Sequence, residues 1–424
     1  HYLLLKDGKL AEESYWQPSF KPGRQNLSLQ DSVQILRDHI ERSVAMRMVS
    51  DVPLGAFLSG GLDSSLVTAF LTRQSPRRVK TFSVAFEDSS FDESRYAQEM
   101  ASYLGTEHYE ERLTPRKMLE ILPKIIDGLD EPFADASMIP TYLLCQHTRK
   151  QVTVAISGDA GDELFGGYPT YQAHKMAQWV PRWAARPLAK LADLLPVSDE
   201  NISFDFKVKR FSAGLGYEPA VRNQIWLGSF APEEKQHLFA EEIAALLSHK
   251  DEFSVAREQW NLCDSADYMN RIFHMDMRFY LQDDILVKVD RMSMANSLEV
   301  RVPYLDHKLV EFVCSLNSCL KLRGLTTKYI LKQAAKGIIP DRIIDRPKKG
   351  FGIPVARWIK SEMKELIADT LSESQIRRGR FFSPAYVKKL LEDHHRNVKD
   401  NRKLLWTLFV FEAWRQKKSA LSLV

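Results

Sequence analysis

From Val52 to Leu71 the chain reads VPLGAFLSGGLDSSLVTAFL: a strand-like apolar run, a turn with two glycines, then an apolar run of helical character. A strand that passes through a tight turn directly into a helix cannot pair with its next strand as a hairpin. It needs a crossover, and that constrains everything downstream. The pattern repeats. VKTFSVAF reads as a strand and ESRYAQEMASYLG as a helix ended by Gly105. EHYEERL reads as a third strand before a helix from Pro115, and the helical IPTYLLCQHTRK leads into the strand QVTVAIS, Gln151 to Ser157. Strands separated by helices of this length predict an α/β fold with a doubly wound, mostly parallel sheet.

Ahead of this core, residues 1–30 read as a strand, a Lys6-Asp7-Gly8 turn, a second strand and the polar linker QPSFKPGRQN. A helix follows from Leu29 to Met48, with Val33, Leu36, Ile40 and Val44 at helical spacing. After about Tyr168 the strand signal fades, and the rest to Val424 reads as helices with short Pro or Gly breaks. The expected divisions are a connector over 1–28, an α/β core over 29–170 and a large helical C-terminal part over 171–424. The adjacent His394 and His395 point to different sides of a helix, so they read as solvated surface, not as a metal site.

The turn Ser59-Gly60-Gly61-Leu62-Asp63-Ser64 lies where a helix offers unpaired N–H groups and the positive end of its dipole to an anion. Its glycines admit a ligand close to the backbone, and Ser59, Ser64 and Ser65 add hydroxyl donors. A P-loop would carry a lysine here. This turn carries Asp63 instead, which suits a Mg²⁺ ion shared with phosphate oxygens. The plain alternative is a tight turn with a capping aspartate. A second loop, Gly158-Asp159-Ala160-Gly161-Asp162-Glu163, follows the strand QVTVAIS; its three carboxylates repel one another unless a cation sits among them.

The whole chain has 424 residues, 44% of them hydrophobic, and a formal net charge of +4. That balance argues against a protein that works mainly by coating nucleic acid or an anionic membrane. No apolar stretch reaches the ~18–20 residues of a membrane span, and no signal-peptide pattern opens the sequence. Cys145, Cys263, Cys314 and Cys319 form no C-x-x-C pair and read as buried reduced thiols, in keeping with a cytoplasmic location.

Four stretches together, SGGLDS, SGDAGDELFGGY, LVKVDRMSMANSLEVRVPYLDH (Leu286 to His307) and RPKKGFGIP (Arg346 to Pro354), resemble the synthetase domain of the glutamine-dependent asparagine synthetases. The resemblance runs from about Ser28 onward. SGGLDS occurs across several N-type ATP pyrophosphatases, whereas the other three stretches are far more specific. The resemblance implies an adenine nucleotide α-hydrolase-like fold, with ATP and Mg²⁺ as cofactors. It implies that Ser59, Gly60, Gly61 and Ser64 cradle pyrophosphate, that Leu58, Val84, Ser157 and Gly158 contact the nucleotide, and that Asp63 and Asp162 hold Mg²⁺. It places Asp159 at the forming acyl-adenylate, where some members carry Glu, and sends Lys348 into the site; Lys349 reads as solvated. Glu299, Arg301 and Asp306 read as an ion-pair network joining the helical part to the sheet, and Asp130 and Glu131 as candidates for the substrate end.

The implied reaction is adenylation of a carboxylate, aspartate first among candidates, followed by attack of ammonia to give an amide. Family members take that ammonia from an N-terminal glutaminase domain with an N-terminal cysteine. This chain begins at His1, and its opening resembles the end of such a domain, so it is expected to be one piece of a larger protein. Another adenylated carboxylate and a non-catalytic nucleotide-binding module remain as alternatives. No nucleic-acid or membrane partner is expected, and self-association as a homodimer stays open.

Overall fold

The computed structural model describes residues 1–21, 23, 27–195, 204–348 and 350–421. Its opening hairpin pairs β1 (Tyr2–Lys6) antiparallel with β2 (Lys9–Glu13) through Asp7 and Gly8, both at positive φ. That turn chemistry matches the right-handed twist of a two-residue hairpin. Every residue of both strands is exposed.

The main sheet has five parallel strands: β3 (Leu54–Phe57), β4 (Lys80–Phe86), β5 (Glu107–Leu113), β6 (Val154–Ile156) and β7 (Glu299–Arg301), in the order β5-β4-β3-β6-β7. From β3 the chain winds outward to β5, then returns to lay β6 on the other side of β3. The switch point therefore falls between β3 and β6. Ligands in open α/β sheets bind in the crevice beyond the carboxyl ends of such strands.

The helices between the strands form as their sequences predict. Helix α1 (Leu29–Arg47) starts at Ser28, whose side chain accepts from the Asp31 N–H, and buries Leu36, Ile40 and Val44. Helix α2 (Leu62–Gln74) is buried on almost every side, which explains its lack of a polar face. Helix α3 (Ser94–Leu104) stops at Gly105, at φ +67°. Helix α4 (Pro115–Asp127) begins with the Thr114 cap and a proline in its first turn. Helices α5 (Met138–Arg149) and α6 (Gly161–Phe165) flank β6 in sequence.

Both faces of the sheet are covered. In β6 the consecutive Ala155 and Ile156 point into different hydrophobic clusters, as strand alternation requires. Ile156 joins Leu36, Leu66 and Phe70 with Leu309 and Ile330 from the later helices His307–Ser315 and Tyr329–Ala335. Ala155 joins Phe82, Met118 and Ile139 with Trp358 and Trp406. The fold is thus doubly wound, with a large helical portion packed on it.

Several expectations need correction. The region after Tyr168 is not helical throughout, because β7 pairs in parallel with β6, Val154 opposite Glu299. Three residues are too few to show a period of two. The strand expected over Gln151–Ser157 shortens to Val154–Ile156, since the N–H groups of Gln151 and Val152 still bond Thr148 O at the end of α5. Cys145, Cys263 and Cys314 are buried, but Cys319 is exposed. His394 is fully buried: its Nε2 faces Ala356 O at 3.2 Å, and its Nδ1 accepts from the Asn401 N–H at 3.3 Å. It fastens the loop ahead of the helix Arg402–Leu421, and the polar residues around it in EDHHRNVKDN hid that role in the sequence. Part of the QPSFKPGRQN linker lies outside the described residues. Among the described residues no helix is long and apolar enough to cross a membrane.

Candidate active site

At the end of β3 the chain turns sharply. Gly60 sits at φ +68°, and a Cβ there would come 2.3 Å from the Tyr96 carbonyl carbon, so only glycine fits. Leu58 is buried and its N–H bonds Phe82 O on β4 at 2.9 Å. Within the turn the Ser59 and Ser64 hydroxyls meet at 3.1 Å, and the Gly61 N–H donates to Ser59 Oγ at 3.3 Å. Gly61 is the residue before α2, so this loop opens onto the helix's unpaired N–H groups. Arg346 braces the turn from outside. Its guanidinium donates to Gly60 O at 2.9 Å, pairs with Glu93 and lies 4.1 Å over the Tyr96 ring.

The loop after β6 lies against this turn. The Ser157 N–H bonds Arg301 O on β7 at 2.9 Å. A Cβ on Gly158 would come 2.7 Å from Ser64 N, and one on Gly161 would come 2.6 Å from Asp63 Oδ1. These close approaches bring Asp63 and Asp162 together at the start of α2 and α6. Ala160 takes φ +68°, a costly conformation for a residue with a side chain.

Two lysines neutralise the pair. Lys328 Nζ lies 2.5 Å from Asp63 Oδ2 and 2.6 Å from Asp162 Oδ1, and Lys348 Nζ lies 2.5 Å from Asp162 Oδ2. Burial pushes the Asp63 carboxyl upward, against the pull of Lys328 and with the repulsion of Asp162. Burial would raise Asp162 too, but Lys328 and Lys348 outweigh it and hold that carboxyl at about 2. Asp162 is thus the firmly ionised member of the pair. Beside it Glu163 is pushed up to about 8 by burial and by Asp162, and accepts from the Tyr168 hydroxyl at 2.5 Å.

A cavity of about 490 Å³ opens over these groups, within the usual size for a single small-ligand site. Of the residues singled out in the sequence, Leu58, Ser59, Asp63, Ser64, Val84, Ser157, Gly158, Asp159, Asp162 and Lys348 line it. Gly60 and Gly61 shape the turn without contributing to the wall. Asp159 is half-buried at the wall, and Lys349 lies outside the described residues. Asp130 and Glu131 do not face the cavity: both are exposed and pair with Arg291 at 2.7 and 3.2 Å. Asp306 caps the helix His307–Ser315 and lies 3.5 Å from Arg47, while Arg301 pairs with Glu299 and donates to the carbonyls of Arg47 and Val49. Those three residues tie β7 and its neighbours to α1.

Sequence reasoning missed Lys328, Arg346, Asp135 and Lys288, and counted Glu163 among the three carboxylates of its loop without giving it a separate role. Lys328 stands in GLTTKY, with no local pattern to mark it, at φ +52°. A Cβ on Gly167 would come within 2.1 Å of Lys328 Cε, so the GG of LFGGY makes room for that side chain.

The residues fit a divalent cation. Asp63 Oδ1 is buried and accepts no hydrogen bond, and Asp63 and Asp162 converge on one positive group, Lys328. Among the described residues no cluster of three or more His, Cys, Asp and Glu side chains gathers, so a hard cation here would draw further oxygen ligands from phosphate and water. Mg²⁺ is bound in that way, through one or two carboxylates plus substrate phosphates.

The family model described as asparagine synthase matches residues 35–416. The chain is 34% identical over 417 residues to asparagine synthetase (glutamine-hydrolyzing) 1 of Bacillus subtilis strain 168, covering 97% of this chain and 63% of that protein. It is 26% identical to asparagine synthetase (glutamine-hydrolyzing) 3 of the same organism, covering 88% and 58%. Amidase chyE of Penicillium rubens is 25% identical, covering 88% and 61%. The chain thus spans about three fifths of the length of these relatives.

Proposed function

The chain belongs to the asparagine synthase family, and on that premise we propose that it is a carbon–nitrogen ligase that uses ATP to turn a carboxylate into an amide. The observation that carries this reading is the meeting of Asp63, Asp162, Lys328 and Lys348, from four separate segments, beside a glycine turn at a helix start.

In the first step a carboxylate oxygen of the acceptor attacks the α-phosphorus of ATP. The bond from that phosphorus to the bridging oxygen breaks, and pyrophosphate leaves with the electron pair. The N–H groups at the start of α2 and the Ser59 and Ser64 hydroxyls hold the departing phosphates. Lys348 takes up charge that develops on them. Asp63 and Asp162 would hold Mg²⁺, which would neutralise phosphate charge and fix the geometry of the triphosphate. Lys328, which pairs with the same two carboxylates, would then be free to face those phosphates. In the second step ammonia attacks the acyl carbon, AMP leaves and the surplus proton passes to water or to AMP. Asp159, at the wall beside the expected acyl carbon, orients the attacking ammonia.

Aspartate is the first acceptor to test, because two relatives carry the name asparagine synthetase. Their qualifier, glutamine-hydrolyzing, makes glutamine the proposed nitrogen source of the full-length protein. The name amidase on a third relative keeps other carboxylates in view. The test is ATP–pyrophosphate exchange with the purified chain, Mg²⁺ and aspartate, followed by ammonium and detection of asparagine and AMP. Exchange that needs a carboxylate and is lost in Asp63→Ala supports the proposal. No exchange with aspartate or any other acid would sink it.

A further inference from the structure

A second cavity, about 510 Å³, lies against the first. Asp135, Ala136, Tyr280 and Ile353 line both, so the two spaces share one wall. The first cavity alone reaches the ordinary size of a small-ligand site, and the second doubles the space. An acceptor the size of aspartate would leave that added space unused.

The shared wall is charged. Asp135 accepts from Lys288 Nζ at 2.9 Å, and Lys288 also donates to Ser137 Oγ at 2.8 Å, with its side chain only 8% exposed. On the second-cavity side Asp284 lies against Asp135, and Asp284 Oδ1 is buried with no donor. Lys288 lies on the Asp135 side of the pair and Lys403 acts on Asp284 from the other, so what the pair lacks is a hydrogen-bond donor at the buried Asp284 Oδ1. The second cavity is also lined by Trp226 and Trp406 and by Lys403, whose side chain donates to Leu227 O. The space thus offers carboxylates at and beside the wall it shares with the first cavity, and aromatic faces and a cation elsewhere on its lining.

We propose that the acceptor is an amino-acid or peptide carboxylate larger than aspartate. Its reacting carboxylate lies beside Asp159, its ammonium sits between Asp135 and Asp284, and its remaining body fills the second cavity, with an anionic end toward Lys403. This inference rests on adenylation in the first cavity.

The experiment is ATP–pyrophosphate exchange by the purified chain with aspartate and with α- and γ-linked aspartyl and glutamyl peptides, each with and without its amino group. At least one larger amino-bearing acid should exceed aspartate in kcat/KM tenfold or more. Ser229→Trp, which fills the second cavity, should cut that ratio at least tenfold, and Ser229→Leu serves if the tryptophan variant does not melt like the parent. Asp284→Asn should reduce the preference for each amino-bearing acid over its counterpart without the amino group. Aspartate outperforming every larger acid, or a ratio unmoved by filling the cavity, overturns the inference while adenylation stands. Exchange with no acid at all overturns the adenylation, and the inference with it.

Discussion

Lys348 Nζ donates to Asp162 Oδ2 at 2.5 Å, joining positions 186 residues apart in the chain. About a third of the Lys348 side chain stays exposed, so the contact is accessible to a ligand while it neutralises a buried carboxylate. Removing one preorganised charge of this kind typically costs ~10²–10³ in rate. Lys348→Ala is therefore expected to lower pyrophosphate exchange by about that factor, with the melting temperature within a few degrees of the parent. Exchange at the parental rate would remove Lys348 from the chemistry.

Lys328 poses a different question, because it is buried and touches both aspartates. Lys328→Met leaves two carboxylates facing each other without their shared cation. Breaking a buried charge network in this way costs about 3–5 kcal/mol. Thermal unfolding should show that loss, and Mg²⁺ alone should restore more stability to the variant than it adds to the parent. An unchanged melting curve would show that Lys328 is dispensable to the pair.

Two glycines share a backbone conformation and differ in surroundings. Gly60 and Gly105 stand at φ +68° and +67°, but a Cβ on Gly105 meets nothing within 4 Å. Gly105→Ala should lose only the left-handed penalty, about 1–2 kcal/mol. Gly60→Ala must also displace the Tyr96 backbone, so it should lose nucleotide binding and more stability. Equilibrium ATP binding and melting of the two variants, compared side by side, would show whether the turn tolerates any displacement.

Acid should unfold the protein partly through His174. Burial pushes this imidazole down to about 3, even though Asn223 Oδ1 accepts from Nε2 at 2.9 Å. Tyr268 lies 3.2 Å from Nδ1 and Trp226 packs on the ring. A folded-state value below the unfolded value of about 6.5 means that the unfolded chain binds the extra proton. Above pH 6.5 the group contributes nothing to pH dependence; from there down to about 3 it removes stability. The loss at pH 5 is about 2 kcal/mol relative to pH 7. Chemical denaturation at both pH values should show it, and His174→Gln should remove that part of the difference. An identical pH slope in the variant would contradict this account.

The part of the fold that the sequence declares is the part built from local rules. Alternating strand and helix periods, the Gly60-Gly61 turn and the Gly105 stop all act within a few residues, and they put the glycine turn and the acidic loop at the ends of parallel strands. Lys348 was legible through the RPKKGFGIP stretch. Lys328 was not, because what makes it matter is proximity to Asp63 across 265 residues and room left by Gly167. Strand β7 was hidden for the same reason: its three residues extend the sheet only because β6 is there to receive them. Asp130 and Glu131 attracted notice through charge, yet their neighbour Asp135 is the one that faces both cavities.

The two cations that balance Asp63 and Asp162 come late in the chain, at positions 328 and 348. During synthesis from the N-terminus, both turns and strands β3 to β6 leave the ribosome long before either lysine exists. Until then the carboxylates have no protein counter-charge, and the sheet also lacks the strand that covers β6 at its edge. A nascent chain halted anywhere before the last quarter therefore carries the whole glycine turn and none of its charge balance. Nucleotide capture is in this sense a terminal event of folding, and affinity for ATP reports whether the ribosome has finished with the chain.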